Sequence, residues 1–325
     1  MTSKAQLGVR NVCFCSDDRG MEWMVVSIYS LLRAAVPTLP LTVNVMHFGP
    51  VSEANRLRVG ELVERYPFAR LVWLDGERAA SRFRADLEKV SGSWCLASWG
   101  RLFMAELMPD VSGNVVYLDT DVLVEADLGE LFDRDLGVNV VAAVRESNVH
   151  DGPNFHWRQP ANGLRFYFNS GVMVFNLANF RKTQALERVL SFVRTSGPLD
   201  SPDQDALNTV FEREVDYLPF RWNYMDGWLA RQMRFSPHDR YWRGVPSAEI
   251  LEAIAAPSII HYLGRQHKPW KANHRSERKR YFRAMAELGL EVPSCGISAL
   301  AHDVWYAVCR RVARRRLKAL RRGKS

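Results

Sequence analysis

The chain has 325 residues, 44 Lys and Arg against 36 Asp and Glu, and a formal net charge of +8 at neutral pH. A chain of this length can bury roughly 75% of its unfolded surface, enough for one large α/β domain without disulfides or a structural metal. The charge excess lies entirely between Ala301 and Ser325, so a uniformly basic body built to wrap nucleic acid is also excluded.

In chain order, Val9 to Cys15 reads as a strand, Glu22 to Ala35 as a helix closed by Pro37 and Pro40, and Leu41 to Phe48 as a second strand. Ser52 caps a helix over Glu53 to Tyr66, and Leu71 to Leu74 forms a third strand. This β-α-β-α-β order predicts a parallel sheet joined by right-handed crossovers, an α/β fold. Beyond it come a helix at Arg101 to Leu107, a strand at Val115 to Leu118, a short helix near Leu128 to Phe132 and a strand at Val138 to Val144. Phe166 to Phe175 reads as a strand, Ala178 to Arg194 and Gln204 to Phe211 as helices, and Ser258 to Gly264 as a last strand. Two long loops, Glu146 to Gly163 and Pro219 to Val245, carry Phe155, Trp157, Tyr224, Trp228 and Tyr241, aromatic platforms for a flat ligand, though core packing is the commoner fate of any one of them.

The chain ends in a helix from Asp303 to Arg322. Val304, Trp305, Val308, Val312 and Leu320 are expected toward one side, with Arg310, Arg314, Lys318 and Arg321 opposite. An apolar stripe beside a basic face suits an anionic membrane surface. The cysteines, Cys13, Cys15, Cys95, Cys295 and Cys309, are odd in number and lack framework spacing, which argues for a reducing compartment. Met1 to Val9 is too short and polar for a signal peptide, and no apolar run approaches the roughly 20 residues that span a bilayer. The expectation is a cytoplasmic protein, peripheral to the inner face of the cell membrane.

The chemistry centres on Asp119-Thr120-Asp121, where a short β-branched strand ends in two carboxylates one residue apart. Alternate positions on extended backbone point the same way, so the two can share a hard divalent cation; a self-capping turn explains the tripeptide equally well. Ser16-Asp17-Asp18 ends the first strand on the same edge of a parallel sheet, where ligands of open α/β sheets bind. His261 ends an apolar strand and is followed by Gly264 and Lys268, a Gly and a Lys suited to phosphate. Asp203 opens a helix, a position that capping alone accounts for.

Tyr117 to Val124, Phe168-Asn169-Ser170-Gly171-Val172 with Asn176-Leu177, Asp203-Gln204-Asp205 with Leu207-Asn208, and His261-Tyr262-Leu263-Gly264 with Lys268-Pro269-Trp270 follow one another in an order and spacing that resembles glycosyltransferase family 8. The resemblance runs from about Val9 to Trp270 and is strongest to the bacterial lipopolysaccharide glucosyl- and galactosyltransferases. It implies a GT-A fold over residues 8–275, with residues 276–325 as a helical, basic, membrane-associating tail. It also implies retaining transfer of glucose or galactose from a UDP-sugar to a saccharide or glycolipid acceptor, assisted by Mn²⁺ with Mg²⁺ as a substitute.

Carried over position by position, the resemblance assigns Asp119, Asp121 and His261 to the metal, and Asp17, beside Ser16, to the uracil. Arg101 meets the donor sugar near the diphosphate, which also faces Thr120, Gly264 and Lys268. Asn169, Asp203 and Gln204 surround the transferred sugar, Gln204 beneath its anomeric carbon, and Glu146 stands at an acceptor-binding position. Three departures stand out: Arg19-Gly20 replaces a small polar residue and an aromatic, Glu146 replaces an Asp, and one extra residue separates His261 from Lys268. That insertion leaves Arg265 or His267 as alternatives for part of the lysine's work. Of the rival readings, a haloacid-dehalogenase-type phosphohydrolase expects Thr or Val where Leu123 stands and leaves His261 and Asn169 unexplained, and a non-catalytic membrane or nucleic-acid binder would lose its function on deletion of Ala301 to Ser325, where a transferase should keep turnover.

Overall fold

The structure, a computed structural model, describes residues 8–37, 39–92, 94–146, 167–225, 247–264, 268–271, 278–294 and 297–322. The platforms expected at Phe155, Trp157, Trp228 and Tyr241, the segment Arg265-Gln266-His267 and Cys295 lie outside these residues.

Seven strands form one mixed sheet in the order β3-β2-β1-β4-β7-β6-β8. They are β1 (Arg10–Ser16), β2 (Leu41–His47), β3 (Ala69–Asp75), β4 (Asn114–Leu118), β6 (Val141–Arg145), β7 (Phe168–Asn176) and β8 (Val215–Leu218). The first three and β4 are parallel neighbours, as the alternating strand-helix order requires, whereas β7 runs antiparallel between β4 and β6. Central strands buried on both faces supply side chains to two separate cores. Along β1 and β4, Val12, Phe14, Val116 and Leu118 enter one core, and Cys13, Cys15, Val115 and Tyr117 enter the other.

The helices cover both faces. On the first core lie α1 (Met21–Ala34) and α2 (Glu53–Glu64), the latter capped by Ser52, whose hydroxyl oxygen accepts the Asn55 N–H. The second core takes α3 (Arg84–Ser91), α4 (Ala185–Thr195) and α5 (Pro202–Val210). Two helices depart from the sequence reading. The segment expected as Ala178 to Arg194 breaks into a short helix, Leu177–Lys182, and α4, because Gln184 takes a left-handed conformation (φ 52°). Arg101 sits not at the start of an α-helix but inside a 3₁₀ stretch, Leu96–Phe103, that turns its side chain into the protein.

A second sheet, β5-β10-β9, was not foreseen. It consists of β5 (Val122–Val124), β10 (Ile259–His261) and β9 (Tyr224–Met225). His261 pairs across from Val122, one residue beyond Asp121, and Ile260 pairs with Tyr224. Tyr224 and Trp222 are buried as a result, so Tyr224 is core and not a surface platform. Two serines of α1 hold the turn before β5: the Ser27 hydroxyl sits 2.8 Å from the Thr120 carbonyl oxygen and 2.7 Å from that of Val122, and Ser30 Oγ accepts the Val124 N–H at 2.9 Å.

At the C-terminus, α6 (Ser247–Ala255), α7 (Arg278–Glu287) and α8 (Ile297–Arg322) complete the described elements. Tyr306, Cys309 and Ala313 of α8 join the first core, and Arg314 donates to the Ala255 carbonyl at the end of α6. Arg310 is buried on this inner side, while Val304 (63% exposed) and Val308 (49%) face outward. Leu320, expected on the same stripe, follows instead from the inner side of the helix by its spacing from Cys309 and Ala313, and is exposed because it lies beyond the body.

Candidate functional site

Strand order determines which chain segments meet. Phe14 is in register with Leu118 on β1 and β4, and Leu118 with Val172 on β4 and β7, so Ser16-Asp17, Asp119-Thr120-Asp121 and Asn169-Ser170-Gly171 converge at one edge. Asp119 N–H donates to the Gly171 carbonyl at 2.8 Å, and β10 delivers His261 beside them. The result is a cleft of about 560 Å³ lined by Ser16, Asp17, Arg101, Asp119, Thr120, Asp121, Glu146, Asn169, Asp203, Gln204, His261, Gly264 and Lys268. All the site residues singled out in the sequence thus share one cavity, although they span most of the chain.

On its floor, ligand-capable atoms of Asp119, Asp121 and His261 lie within 4.8 Å of one another. His261 Nε2 is 3.3 Å from Asp121 Oδ1 and 3.8 Å from Asp119 Oδ2. Two carboxylates and an imidazole suit a divalent cation of the Mn²⁺ or Mg²⁺ type. The cradle also depends on Gly171, where an added Cβ would stand 2.1 Å from His261 Cε1 and 2.7 Å from Asp119 Oδ2. Only a residue without a side chain leaves that space open.

Asp119 is held from behind. Its Oδ1 accepts from the Tyr117 hydroxyl at 2.8 Å and from Arg101 at 3.1 Å, which turns Oδ2 toward His261. The Arg101 guanidinium is itself buried, lies 4.2 Å over the Tyr117 ring, donates to the Ser170 carbonyl and pairs with Asp203 at 3.3 Å. Burial disfavours its charge, but Tyr117, Asp203 and Asp119 outweigh that and hold the proton more firmly than usual. Arg101 therefore reaches the cleft as a clamp on two carboxylates. Burial also raises the Asp203 carboxyl above its ordinary range, against the pull of Arg101. At Asp121 burial again opposes ionisation, but Lys268 and then His261 overcome it and hold the carboxyl well below that range. Lys268 Nζ is bonded to Asp121 Oδ2 and, at 2.7 Å, to the Tyr262 carbonyl.

The other half of the cleft is a network of neutral amides and hydroxyls. Gln204 Oε1 accepts from Ser170 N–H at 2.8 Å and Asn169 Nδ2 at 3.2 Å, while its Nε2 donates to the Tyr167 hydroxyl at 3.2 Å. Asn169 Nδ2 also donates to Glu146 Oε2 at 3.0 Å, and Ser170 Oγ to Asp203 Oδ2 at 3.1 Å. At the opposite wall Asp17 Oδ1 accepts the Gly20 N–H at 2.9 Å at the start of α1, and Gly264 adopts a positive φ of 77° that glycine tolerates. Tyr117, Tyr167, Ser170 and Gly171 carry contacts that reading single residues passes over. Tyr117, Ser170 and Gly171 belong to the ordered motifs and Tyr167 does not, but nothing local in the sequence reveals what either tyrosine touches.

Comparison with known proteins gives a consistent result. The profile of "Glycosyl transferase family 8" matches residues 11–274. General stress protein A of Bacillus subtilis is 29% identical over 58% of this chain and 65% of its own length, and the lipopolysaccharide 1,2-glucosyltransferase of Escherichia coli 26% over 54% and 50%. The matched region therefore spans between half and two thirds of these curated relatives. Among solved structures, the bifunctional glycosyltransferase WbbM superposes with a TM-score of 0.70 at 25% identity, over 88% of this chain and 51% of that one. The galactosyltransferase LgtC, in complex with donor and acceptor sugar analogs, gives 0.66 at 25% identity, over 87% of this chain and 98% of that one. The fold is accordingly of the GT-A type.

Proposed function

The chain belongs to glycosyltransferase family 8, and from that membership we propose that it is a retaining hexosyltransferase moving glucose or galactose from a UDP-sugar to a saccharide acceptor, lipopolysaccharide or another cell-surface glycan. The observation that carries the reading is the single cleft in which a two-carboxylate, one-histidine cluster adjoins a network of neutral amides. The first suits a cation and a diphosphate, and the second suits sugar hydroxyls. The family match leaves no support for the phosphohydrolase or the non-catalytic binder.

Asp119, Asp121 and His261 would hold Mn²⁺, or Mg²⁺ in its place, and the bound ion would offset negative charge on the departing nucleoside diphosphate. Lys268, already beside Asp121, supplies a further positive charge at the same place, where charge develops. Asp17, Ser16, Thr120 and Gly264 all line the cleft, and in this reading Asp17 would meet the nucleobase, with Ser16 and Thr120 near it and Gly264 offering backbone to the phosphates. Arg101 acts mainly by holding Asp119 and Asp203 in position.

Gln204 occupies the place beneath the anomeric carbon, and Asp203 orients Ser170 beside it. The Gln204 carbonyl oxygen already accepts from Ser170 and Asn169, so its lone pairs are committed and a covalent glycosyl intermediate on it is disfavoured. A front-face route fits better: the leaving phosphate oxygen takes the acceptor hydroxyl's proton while the new bond forms on the same face. Glu146, hydrogen-bonded to Asn169, stands ready to orient the acceptor.

We assign residues 8–275 to the catalytic unit and 276–325 to its membrane-associating tail. Among the described residues no helix is long and apolar enough to cross a membrane. On the outward face of α8, Leu300, Val304 and Val308 are followed at helical spacing by exposed Arg311, Arg315, Lys318 and Arg322. An apolar half followed by a cationic half suits a peripheral contact with the anionic cytoplasmic leaflet.

The test is a screen of UDP-hexoses for Mn²⁺-dependent release of UDP, with Asp121→Ala as the comparison. Release from one donor by the parent, lost in Asp121→Ala, is the expected result; no release from any donor overturns the assignment. Sedimentation with phosphatidylserine vesicles tests the tail, where Val304→Glu with Val308→Glu should abolish binding and leave turnover in solution intact.

A further inference from the structure

We propose that Asn223, at the end of the 3₁₀ turn Phe220–Asn223, is a positioning residue that sets the tautomer of His261 and ties the cation ligands to the sugar-facing amides. The inference rests on the reading of Asp119, Asp121 and His261 as a cation site. Asn223 is fully buried, and the pairing of Ile260 with Tyr224 fixes it alongside His261.

The argument starts from a backbone amide, whose role is not open to choice. Gly171 N–H donates to one side-chain atom of Asn169 at 3.0 Å, so that atom must be the oxygen Oδ1. The amide nitrogen of Asn169 then faces Glu146 Oε2 and Gln204 Oε1, both acceptors. Asn223 approaches the same Asn169 oxygen at 2.8 Å and must present its NH₂ to it. That leaves the Asn223 oxygen 3.0 Å from His261 Nδ1. An oxygen there requires a proton on Nδ1, since the alternative sets two lone pairs against each other in a buried place. With Nδ1 as the donor to Asn223, Nε2 is the ring nitrogen that faces Asp119 and Asp121 and the one that would offer its lone pair to a cation bound between them.

One amide thus performs two tasks through opposite ends. Its oxygen orients a ligand of the cation, and its NH₂ orients Asn169, which in turn holds Glu146 and Gln204. Nothing in the local sequence Arg221-Trp222-Asn223-Tyr224 suggests either role; only the register of β9 and β10 creates it.

The two ends can be separated by substitution. Asn223→Asp keeps an oxygen for the Nδ1–H but loses the donor to Asn169, whereas Asn223→Leu loses both. With the full chain, Mn²⁺ affinity measured from the paramagnetic resonance of the free ion should fall about 10–100-fold in Asn223→Leu and stay within about threefold in Asn223→Asp. In the same Asn223→Asp protein, kcat for UDP release should fall about tenfold or more, a split that general loosening of the fold would not produce. Equal Mn²⁺ affinity in parent and Asn223→Leu, or equal loss in both variants, overturns the proposal while leaving the cation site standing. No Mn²⁺ binding by the parent overturns the cation site itself, and the proposal with it. Should Asn223→Leu fail to fold, the ¹⁵N shifts of ring-labelled histidine in the parent decide, His261 being identified by loss of its signals in His261→Gln. A protonated Nδ1 supports the proposal and an unprotonated Nδ1 overturns it.

Discussion

Replacing Gly171 by Ala adds one methyl group in the narrow space between Asp119 and His261, the proposed cation ligands. The new Cβ would stand 2.1 Å from His261 Cε1, 2.7 Å from Asp119 Oδ2 and 2.9 Å from His261 Nδ1. Carbon atoms rest at about 3.5–4.0 Å, so something must withdraw by more than an ångström. The backbone is poorly able to do so, because Gly171 lies in β7 between β4 and β6 and its carbonyl accepts from Asp119 N–H. The imidazole must give way, and overpacking of this kind costs about 1–3 kcal/mol. If that strain stays in the folded apoprotein, an unfolding entropy of about 2.1 cal/mol/K per residue turns it into a Tm lower by about 1.5–4.5 °C. If the ring instead swings clear, Tm is spared and the same energy reappears as about 5–150-fold weaker Mn²⁺ binding, since each 1.4 kcal/mol is a factor of ten. Calorimetric melting and Mn²⁺ titration of one preparation therefore capture the effect in either form. Gly113→Ala, where nothing lies within 4 Å of the added Cβ, should lower neither quantity. A Gly171→Ala protein with Tm within 1 °C and affinity within twofold of the parent would refute the reasoning.

Arg101→Met should destabilise the protein by about 3–5 kcal/mol in urea titrations, because it leaves Asp119 and Asp203 facing each other without their shared cation. Arg101→Lys should recover only part of this, since an ammonium cannot reach both carboxylates and the Ser170 carbonyl at once. Lys268→Met removes the strongest influence lowering the Asp121 carboxyl. A folded-state pKa below the unfolded value gives stability that is fully present above the unfolded value, about 3.9, and is lost as pH falls through the folded one. The gap in urea midpoint between parent and Lys268→Met should accordingly be widest near neutral pH and close progressively below about pH 4; a gap that widens on acidification would contradict the pairing. Tyr117→Phe removes the hydroxyl donor to Asp119 Oδ1 and should weaken Mn²⁺ binding by about three- to tenfold, with Arg101 still holding that oxygen.

Much of the sheet was legible because its signal is local. Alternation along β1 and β4 sends neighbouring residues into opposite cores, and Ser52 caps α2 where the sequence placed a cap. Helix boundaries were less legible where one backbone angle decides: nothing in Thr183-Gln184 announces the left-handed residue that divides Leu177–Lys182 from α4. The three-residue strand β5 is too short to carry a period, and β10, though read as a strand, does not announce its partner, yet their pairing is what brings His261 to Asp121. The site shows the same division. Its members could be picked out because motifs in a fixed order survive where pairwise spacing says nothing, but what each one touches is set by contacts across the fold. The resemblance assigns Arg101 to the donor sugar, but nothing local shows that the 3₁₀ stretch also turns it onto Asp119 and Asp203, the latter far away along the chain. The outward face of α8 was legible only in part: Val304 and Val308 lie on it as expected, but Lys318, expected opposite, shares it with them, and Leu320 belongs to the inner side. A face that packs against nothing keeps its intrinsic periodicity, so Val304 and Val308 stay where helical spacing puts them, whereas Arg310, expected in solvent, is drawn inward by the packing of Tyr306 and Cys309 beside it. A face whose neighbours come from distant sequence therefore hides its role from local reading, as at Asp119, Asp121 and His261, which β4, β5 and β10 bring together across more than a hundred residues.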